Sequence, residues 1–238
     1  MVTIMANDFR VMTSGAFTAA HLELIPHVEQ LTNKKVVTAS TSVGSGDSSI
    51  PNRLKRGEAV DIVIVADTLL RQLVADGLVL ADGVTPVARS VIGMAVRDGA
   101  PKPDISTVDA LRRTLLQAKS IAYSASVSGQ YLTTELYQRL GIADQALPKS
   151  RLISGGERAG AAVARGEVEI GFQQISELLP VAGIAHITPL PPEVQKVSVF
   201  SAGVAASCTD ADTARAAIAF LASAEAANAI TKSGLEPA

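Results

Sequence analysis

The sequence holds no tryptophan, one cysteine, three histidines and only 3% aromatic residues among its 238. So few rings exclude a stacking platform for bases or sugars. The lone Cys208 rules out an internal disulfide, and its small neighbours Ala205, Ala206 and Ser207 make it read as a buried, unreactive thiol. Three scattered histidines and one cysteine give no metal-ligand spacing, so no metal is expected. Charge of either sign is scarce: 21 Lys and Arg stand against 23 Asp and Glu, for a net charge of −2. Without a basic stripe nucleic acid is not an expected partner, and any bound anion has to be held by local donors. No run approaches the ~18 continuous apolar residues of a membrane span, so no membrane insertion is expected.

Nucleotide and hydrolase signatures are missing as well. There is no Gly-x-x-x-x-Gly-Lys-Ser/Thr loop, and Val43-Gly44-Ser45-Gly46 lacks the context of a dinucleotide site. Ser126-Val127-Ser128-Gly129 lacks the first glycine of a nucleophile elbow. No cofactor is implied. The segment Met1 to Asn7 lacks the charged start, the apolar run of roughly 7–15 residues and the cleavage site of an export signal. The expected location is therefore the periplasm if a leader has been removed and the cytoplasm otherwise.

What is present is 47% hydrophobic residue content, ample for a core, arranged in alternating strand and helix periods. Phe9 to Thr13 and the β-branched Lys35 to Ala39 read as strands, with Phe17, Ala20, Leu24 and Val28 at helical spacing between them. Ile50 to Arg56 reads as a helix with Pro51 in its first turn and Gly57 at its end. Asp61 to Ala66 is a continuous apolar run, as a parallel strand covered on both faces requires, and Asp67 then caps a helix to Asp76. Beyond Val91 to Val96 and the turn-rich loop Asp98 to Asp104, the theme repeats. Helix Val108 to Ala118, strand Ser120 to Tyr123, helix Ser128 to Leu140, strand Arg151 to Ile153, helix Glu157 to Ala164 and strand Val168 to Phe172 follow in order. Lys196 to Ala205 closes as a strand and Asp210 to Ile230 as one Ala-rich helix. The fold class is α/β, in two lobes, each a mostly parallel sheet flanked by helices.

Hydroxyl and glycine residues gather where strands give way to helices: at Ser14-Gly15, along Thr41 to Ser49, and along Ser124 to Gly129. A helix N-terminus offers unpaired N–H groups and partial positive charge, so such junctions suit an oxyanion or carboxylate. Each alone is also an ordinary cap. The second run is longer than a cap needs, and ligands of open parallel sheets lie beyond the strands' carboxyl ends, where these junctions point.

Ser14-Gly15-Ala16, Arg56-Gly57-Glu58-Ala59-Val60-Asp61-Ile62-Val63-Ile64, Gly166-Glu167-Val168-Glu169-Ile170-Gly171-Phe172 and Gly234-Leu235-Glu236-Pro237, in this order, resemble the type II periplasmic solute-binding proteins, in particular their molybdate-binding branch. The resemblance implies one lobe of residues 1–87 plus 198–238 and another of 88–197, with the ligand in the cleft between them. It carries the ligand-binding role to Ser14, Gly15 and Ala16, to Ser45, Ser48 and Ser49, and to Ser126, Ser128 and Gly129. It also implies a small anionic ligand, an ABC-transporter permease as partner if the chain is exported, and a monomer. Three departures appear: Asp47 among the small hydroxyls, Arg89-Ser90 where a neutral pair is usual, and Gln174 in place of a tyrosine. They suit a carboxylate, since Arg presents two parallel N–H donors and Gln an amide. Arg89, Ser90, Tyr131, Arg158 and Gln174 are thus candidate ligands of a di- or tricarboxylic acid. A crossover salt bridge for Arg89, and surface or core packing for Arg158 and Tyr131, are the alternatives.

The first reading is therefore binding of a small oxyanion or polycarboxylate as an ABC-transporter-type substrate-binding protein. The alternative is an enzyme, because some relatives of this branch are aconitate isomerases. Shifting the double bond of that acid removes a proton from carbon beside a carboxylate and returns one elsewhere. No catalytic base stands out: His21, His27 and His186 lie in no recognisable motif and read as structural.

Overall fold

The computed structural model describes residues 8–39, 46–154 and 156–238. Ser45 falls outside them. In chain order the elements are β1 (Asp8–Thr13), α1 (Gly15–Thr32), β2 (Lys35–Ala39), α2 (Ile50–Lys55), β3 (Ile62–Ala66), α3 (Asp67–Ala75), β4 (Thr85–Ser90), β5 (Ile92–Arg97) and α4 (Val108–Gln117). There follow β6 (Ile121–Ser124), α5 (Val127–Tyr131), a π turn (Leu132–Leu136), α6 (Tyr137–Arg139), α7 (Ala143–Ala146), β7 (Ser150–Ile153), α8 (Ala159–Ala164), β8 (Ile170–Gln174) and α9 (Ile175–Leu178). The chain ends with β9 (Ile184–Pro189), β10 (Ser198–Val204), α10 (Ala211–Leu221), α11 (Ala227–Lys232) and β11 (Glu236–Pro237).

Two compact units form, Met1–Arg89 with Val199–Ala238, and Ser90–Ser198. In the first, the sheet order is β11-β4-β10-β3-β1-β2, with β1 parallel to both β2 and β3, and β10 antiparallel to β3. All five residues of β3 are buried, as its unbroken Ile-Val-Ile-Val-Ala run requires. On one face Met12, Val63 and Val65 pack with Ile50, Leu54, Leu70 and Leu73 from α2 and α3. Each fully buried side chain of this size contributes about 1.5–3 kcal/mol. Gly57, at φ +75, makes the left-handed turn out of α2 that a residue with Cβ resists.

The second unit has the order β7-β6-β8-β5-β9, with β6 parallel to β7 and β8, and β5 antiparallel to β8 and β9. Ile92, Met94, Ile121 and Phe172 meet Leu111, Leu115, Leu132, Leu136 and Tyr137 on one side. A smaller apolar group of Ala122, Ile153, Ala159, Ala162, Val163 and Val168 sits with α8. The sheet is thereby covered on both faces.

Two helices differ from expectation. The helix expected over Ser128 to Leu140 is interrupted by the π turn, where Thr133 and Thr134 donate their hydroxyls back to the carbonyls of Gly129 and Gln130 at 2.9 and 2.8 Å. The single helix expected over Asp210 to Ile230 is two, α10 and α11, joined by a turn in which Ser223 N–H bonds Phe220 O and Ala226 N–H bonds Ser223 O.

Candidate functional site

Within each unit the parallel strands end on one edge, and Ser14-Gly15 and Ser124 to Gly129 lie there, while Thr41 to Ser45 of the second run fall outside the described residues. In the second unit Tyr123 on β6 registers with Phe172 on β8, and Ser124 with Ile153 on β7. The residues that follow those strands, Ser126 to Gly129, Ser154 with Gly156 to Arg158, and Gln174 to Glu177, are thus neighbours. Because β5 runs antiparallel, with Ile92 opposite Gln174, Ser90 begins at that same end.

Ser124, Ser126 and Ser128 form a triangle of hydroxyls, 2.7, 3.1 and 3.4 Å apart. Gly129 makes the close packing possible: a Cβ there would lie 1.8 Å from the Ser124 carbonyl oxygen. Each hydroxyl has one proton and two lone pairs, so the triangle can redirect its protons toward an anion by rotating about C–O bonds. Next to it Ser90, Ser176 and Gln174 are buried, and Ser90 Oγ, Ser176 Oγ and Gln174 Oε1 have no hydrogen-bond partner among the described residues. Buried polar atoms without partners are rare because the lost hydration is not replaced.

The first unit shows the same trait. Ser14 lies between β1 and α1; its N–H donates to Ile64 O at 2.8 Å, its carbonyl accepts from Thr18 at 3.0 Å, and its buried Oγ has no partner among the described residues. Gly15 and Ala16 form the first turn of α1. Ser49 precedes α2, fully buried, with Oγ likewise unpartnered. Ser48 is exposed.

These serines are not behaving as caps. Thr107 and Asp210, at the starts of α4 and α10, accept hydrogen bonds from Ala110 N–H and Thr213 N–H, the usual capping geometry. Ser14, Ser49 and Ser126 occupy the same position in extended conformation and make no such bond to their own helices. The Ser14 and Ser49 hydroxyls have no partner among the described residues, and that of Ser126 bonds only Ser124 and Ser128.

The remaining candidates separate. Tyr131 is buried, donates its hydroxyl to Val194 O at 2.6 Å and accepts from Arg139 at 3.0 Å, so it ties the π-turn segment to the loop before β10 and offers a ligand no free hydroxyl. Arg89 is exposed on β4, opposite Glu236 of β11, the cross-strand placement of a charge pair. Arg158 precedes α8, half-buried, and its guanidinium charge acts on Glu177.

Glu177 and Gln173 went unnoticed in the sequence. Glu177 is buried on α9, and burial pushes its carboxyl up to about 7, opposed by the Gln173 hydrogen bond and the Arg158 charge. Gln173 Oε1 accepts the Ala159 N–H at 2.8 Å. The available signal was the polar run Gln173-Gln174-Ile175-Ser176-Glu177 ending an apolar strand. His21, in contrast, is far along α1, bonded to Thr38 at 2.7 Å and held neutral by burial, its ring down to about 4. Cys208 is pushed up to about 11 by burial, which keeps it a thiol. Among the described residues no group of three His, Cys, Asp or Glu is placed to hold a metal, and no helix is long and apolar enough to cross a membrane.

Comparison with known proteins agrees with this architecture. The chain is 42% identical over 228 residues to an aconitate isomerase from a Pseudomonas species, an alignment covering 95% of this chain and 87% of that protein. Among solved structures, the periplasmic molybdate-binding protein of Azotobacter vinelandii superposes with a TM-score of 0.74 at 19% identity, over 95% of this chain and 98% of that one. A sulfate-binding protein of Mycobacterium tuberculosis superposes with a TM-score of 0.70 at 18% identity, over 97% and 87%. At such identities these two show the fold, a two-lobe type II binding-protein architecture. The model of the family described as bacterial extracellular solute-binding protein matches residues 9–236, nearly the whole chain, and the protein belongs to that family.

Proposed function

We propose that this protein binds aconitate and interconverts its cis and trans isomers. The carrying observation is the 42% identity, over 95% of the chain, to a protein of that name. The site chemistry supports it. Aconitate presents three carboxylates, and the second unit gathers neutral hydroxyl donors, a Gln174 amide and the Arg158 guanidinium on one sheet edge, a donor set suited to carboxylates more than to a bare tetrahedral dianion.

The reaction needs no co-reactant. A C–H bond of the methylene carbon breaks, and its electron pair spreads over three carbons and the attached carboxylates. The former double bond becomes partly single, and a proton returns to its far end. Hydrogen bonds from fixed hydroxyls stabilise the carboxylate oxygens as they take up that charge. The test is incubation of the purified protein with each pure isomer, followed by chromatography of the mixture. Convergence to one isomer ratio from both sides supports the reading. An unchanged ratio after hours at high protein concentration rejects it.

A second reading follows from the family description and the binding-protein fold: capture of a polycarboxylate for a transporter permease, without turnover, outside the cytoplasmic membrane. It requires tight binding with no change in isomer ratio. Copurification with a permease would favour it.

A further inference from the structure

Three buried polar side chains of the second unit flank one ladder bond. Ile92 of β5 stands opposite Gln174 of β8, and one step further Ile175 N–H donates to Val91 O at 3.0 Å. Ser90 and Ser176 are the next residues on the two chains beyond that bond. Ser90, Gln174 and Ser176 are at most 2% exposed, and Ser90 Oγ, Ser176 Oγ and Gln174 Oε1 have no partner among the described residues. The backbone beside them is pinned. Gln195 Oε1 accepts the Ile92 N–H and Gln195 Nε2 donates to Ile92 O, both at 2.9 Å, so this side chain takes the place of a neighbouring strand where β9 has ended at Pro189. The segment that Gln195 holds continues to Ser198, whose hydroxyl accepts from the Gln174 amide nitrogen at 3.2 Å.

We propose that Ser90, Gln174 and Ser176 form the subsite of one carboxylate of bound aconitate, which rests on the aconitate reading and adds to it where one of the three acid groups is held. An ionised carboxylate is acceptor-only, with about four lone-pair sites on its two oxygens. Each serine has a proton to give it. Gln174 adds an N–H once its carboxamide turns, with Ser198 then donating to Oε1. No side chain of the patch is charged, but a hydrogen bond to an ionised group is about twice as strong as a neutral one, so a few fixed donors hold a carboxylate. In the ligand-free protein the same hydroxyls oppose stability, because a buried donor without a partner has lost its hydration for nothing. Their removal should therefore act on binding and on stability in opposite directions.

The test compares the whole wild-type protein with Ser90→Ala, Ser176→Ala and the double variant. Calorimetry reads trans-aconitate directly and, by displacement, itaconate, glutaconate and mesaconate, each of which lacks a different one of its three carboxylates. Each alanine should weaken trans-aconitate about tenfold or more, the scale of a hydrogen bond to a charged group. The melting temperature of the ligand-free variants should be equal to the wild type's or higher. One dicarboxylate, the one without the acid group held here, should bind the wild type and the double variant alike, while the other two weaken as trans-aconitate does. Unchanged trans-aconitate affinity in the double variant means that the patch holds water only, and it overturns the subsite while leaving the aconitate reading standing. An equal loss for all three dicarboxylates, the mark of a general disturbance, overturns it too. A wild type that binds no tricarboxylate overturns both.

Discussion

The Gln174 amide nitrogen lies 3.2 Å from the Ser198 hydroxyl and donates to it, leaving Gln174 Oε1 buried with no partner among the described residues. A hydroxyl can accept or donate, so turning the amide by 180° keeps the Ser198 bond and converts the free atom from acceptor to donor. A tyrosine at this position offers no such choice of two adjacent atoms. Gln174→Leu should therefore weaken aconitate or citrate binding about tenfold, the scale of one neutral hydrogen bond. Gln174→Glu should weaken it further and recover as pH falls, because its carboxylate then repels those of the ligand. Isothermal titration calorimetry at pH 5 and 8 reads both; equal affinity in all three proteins would remove Gln174 from the site.

The contrast between capping and non-capping hydroxyls gives a second test. Thr107→Ala removes a real cap and should lower stability by about 1 kcal/mol without touching ligand affinity. Ser14→Ala and Ser126→Ala remove hydroxyls that do not cap the backbone of their helices, so they should weaken binding several-fold while changing the melting temperature little. Thermal scans with and without ligand separate the two classes. The reverse pattern would make these serines structural.

Gly129→Ala should be severe for a steric reason. The added Cβ falls 1.8 Å from a backbone carbonyl, which cannot rotate away as a side chain would. Overpacking of this kind costs about 1–3 kcal/mol when neighbours can shift, and more when they are main chain. A drop of several degrees in melting temperature is expected, together with lost binding as Ser126 and Ser128 move. A fully stable variant would contradict the packing of α5 on β6.

Much of this architecture is legible in the residues. The unbroken apolar run of β3 and the 3.6-residue spacing in α1 depend on local pattern, and the hydroxyl junctions stand out because they exceed what a cap needs. The split between α10 and α11 is not legible: the Ala-rich segment carries no Pro or Gly at the break, and the turn at Ser223 is made by backbone bonds. Glu177 is illegible for another reason. Its position three residues past Gln174 is ordinary, and only the packing of α8 and α9 onto the sheet removes its carboxyl from water. Likewise Tyr131 reads as a candidate ligand until Val194 and Arg139, 63 and 8 residues away, engage its hydroxyl.

Two buried ionisable groups should give opposite pH signatures of stability. Glu177, raised to about 7, holds its proton more tightly folded than unfolded. Its burial costs nothing below the ordinary carboxylate range, and the cost grows as pH rises toward about 7. Glu177→Gln should therefore gain stability over the wild type across that window, on the order of 3 kcal/mol at pH 8. His21, lowered to about 4, excludes a proton that the unfolded chain takes up below about 6.5. It destabilises as pH falls from there, and His21→Leu should lose that dependence. Melting curves from pH 4 to 8 for the three proteins decide it; parallel curves for Glu177→Gln and the wild type would place the carboxyl in water.

Ligand choice is the last test, and it turns on geometry more than on net charge. With a net charge of −2 and a donor set of hydroxyls and amides, the site has little long-range attraction to offer an anion, so affinity should change only modestly between low and high salt. Selectivity then depends on which ligand fills the unpartnered positions. Ser90, Ser176, Gln174 and the Ser124–Ser126–Ser128 triangle extend along the ends of several strands, a spread that suits separate carboxylates on a carbon skeleton better than four oxygens about one atom. A ligand at 100 times its Kd stabilises the native state by about 2.7 kcal/mol, which is several degrees of melting temperature. Citrate and both aconitates should produce such shifts at millimolar concentration, and molybdate and sulfate much smaller ones. Tight molybdate binding by calorimetry, with no response to tricarboxylates, would return the site to the oxyanion chemistry of its structural neighbours and remove the basis for turnover.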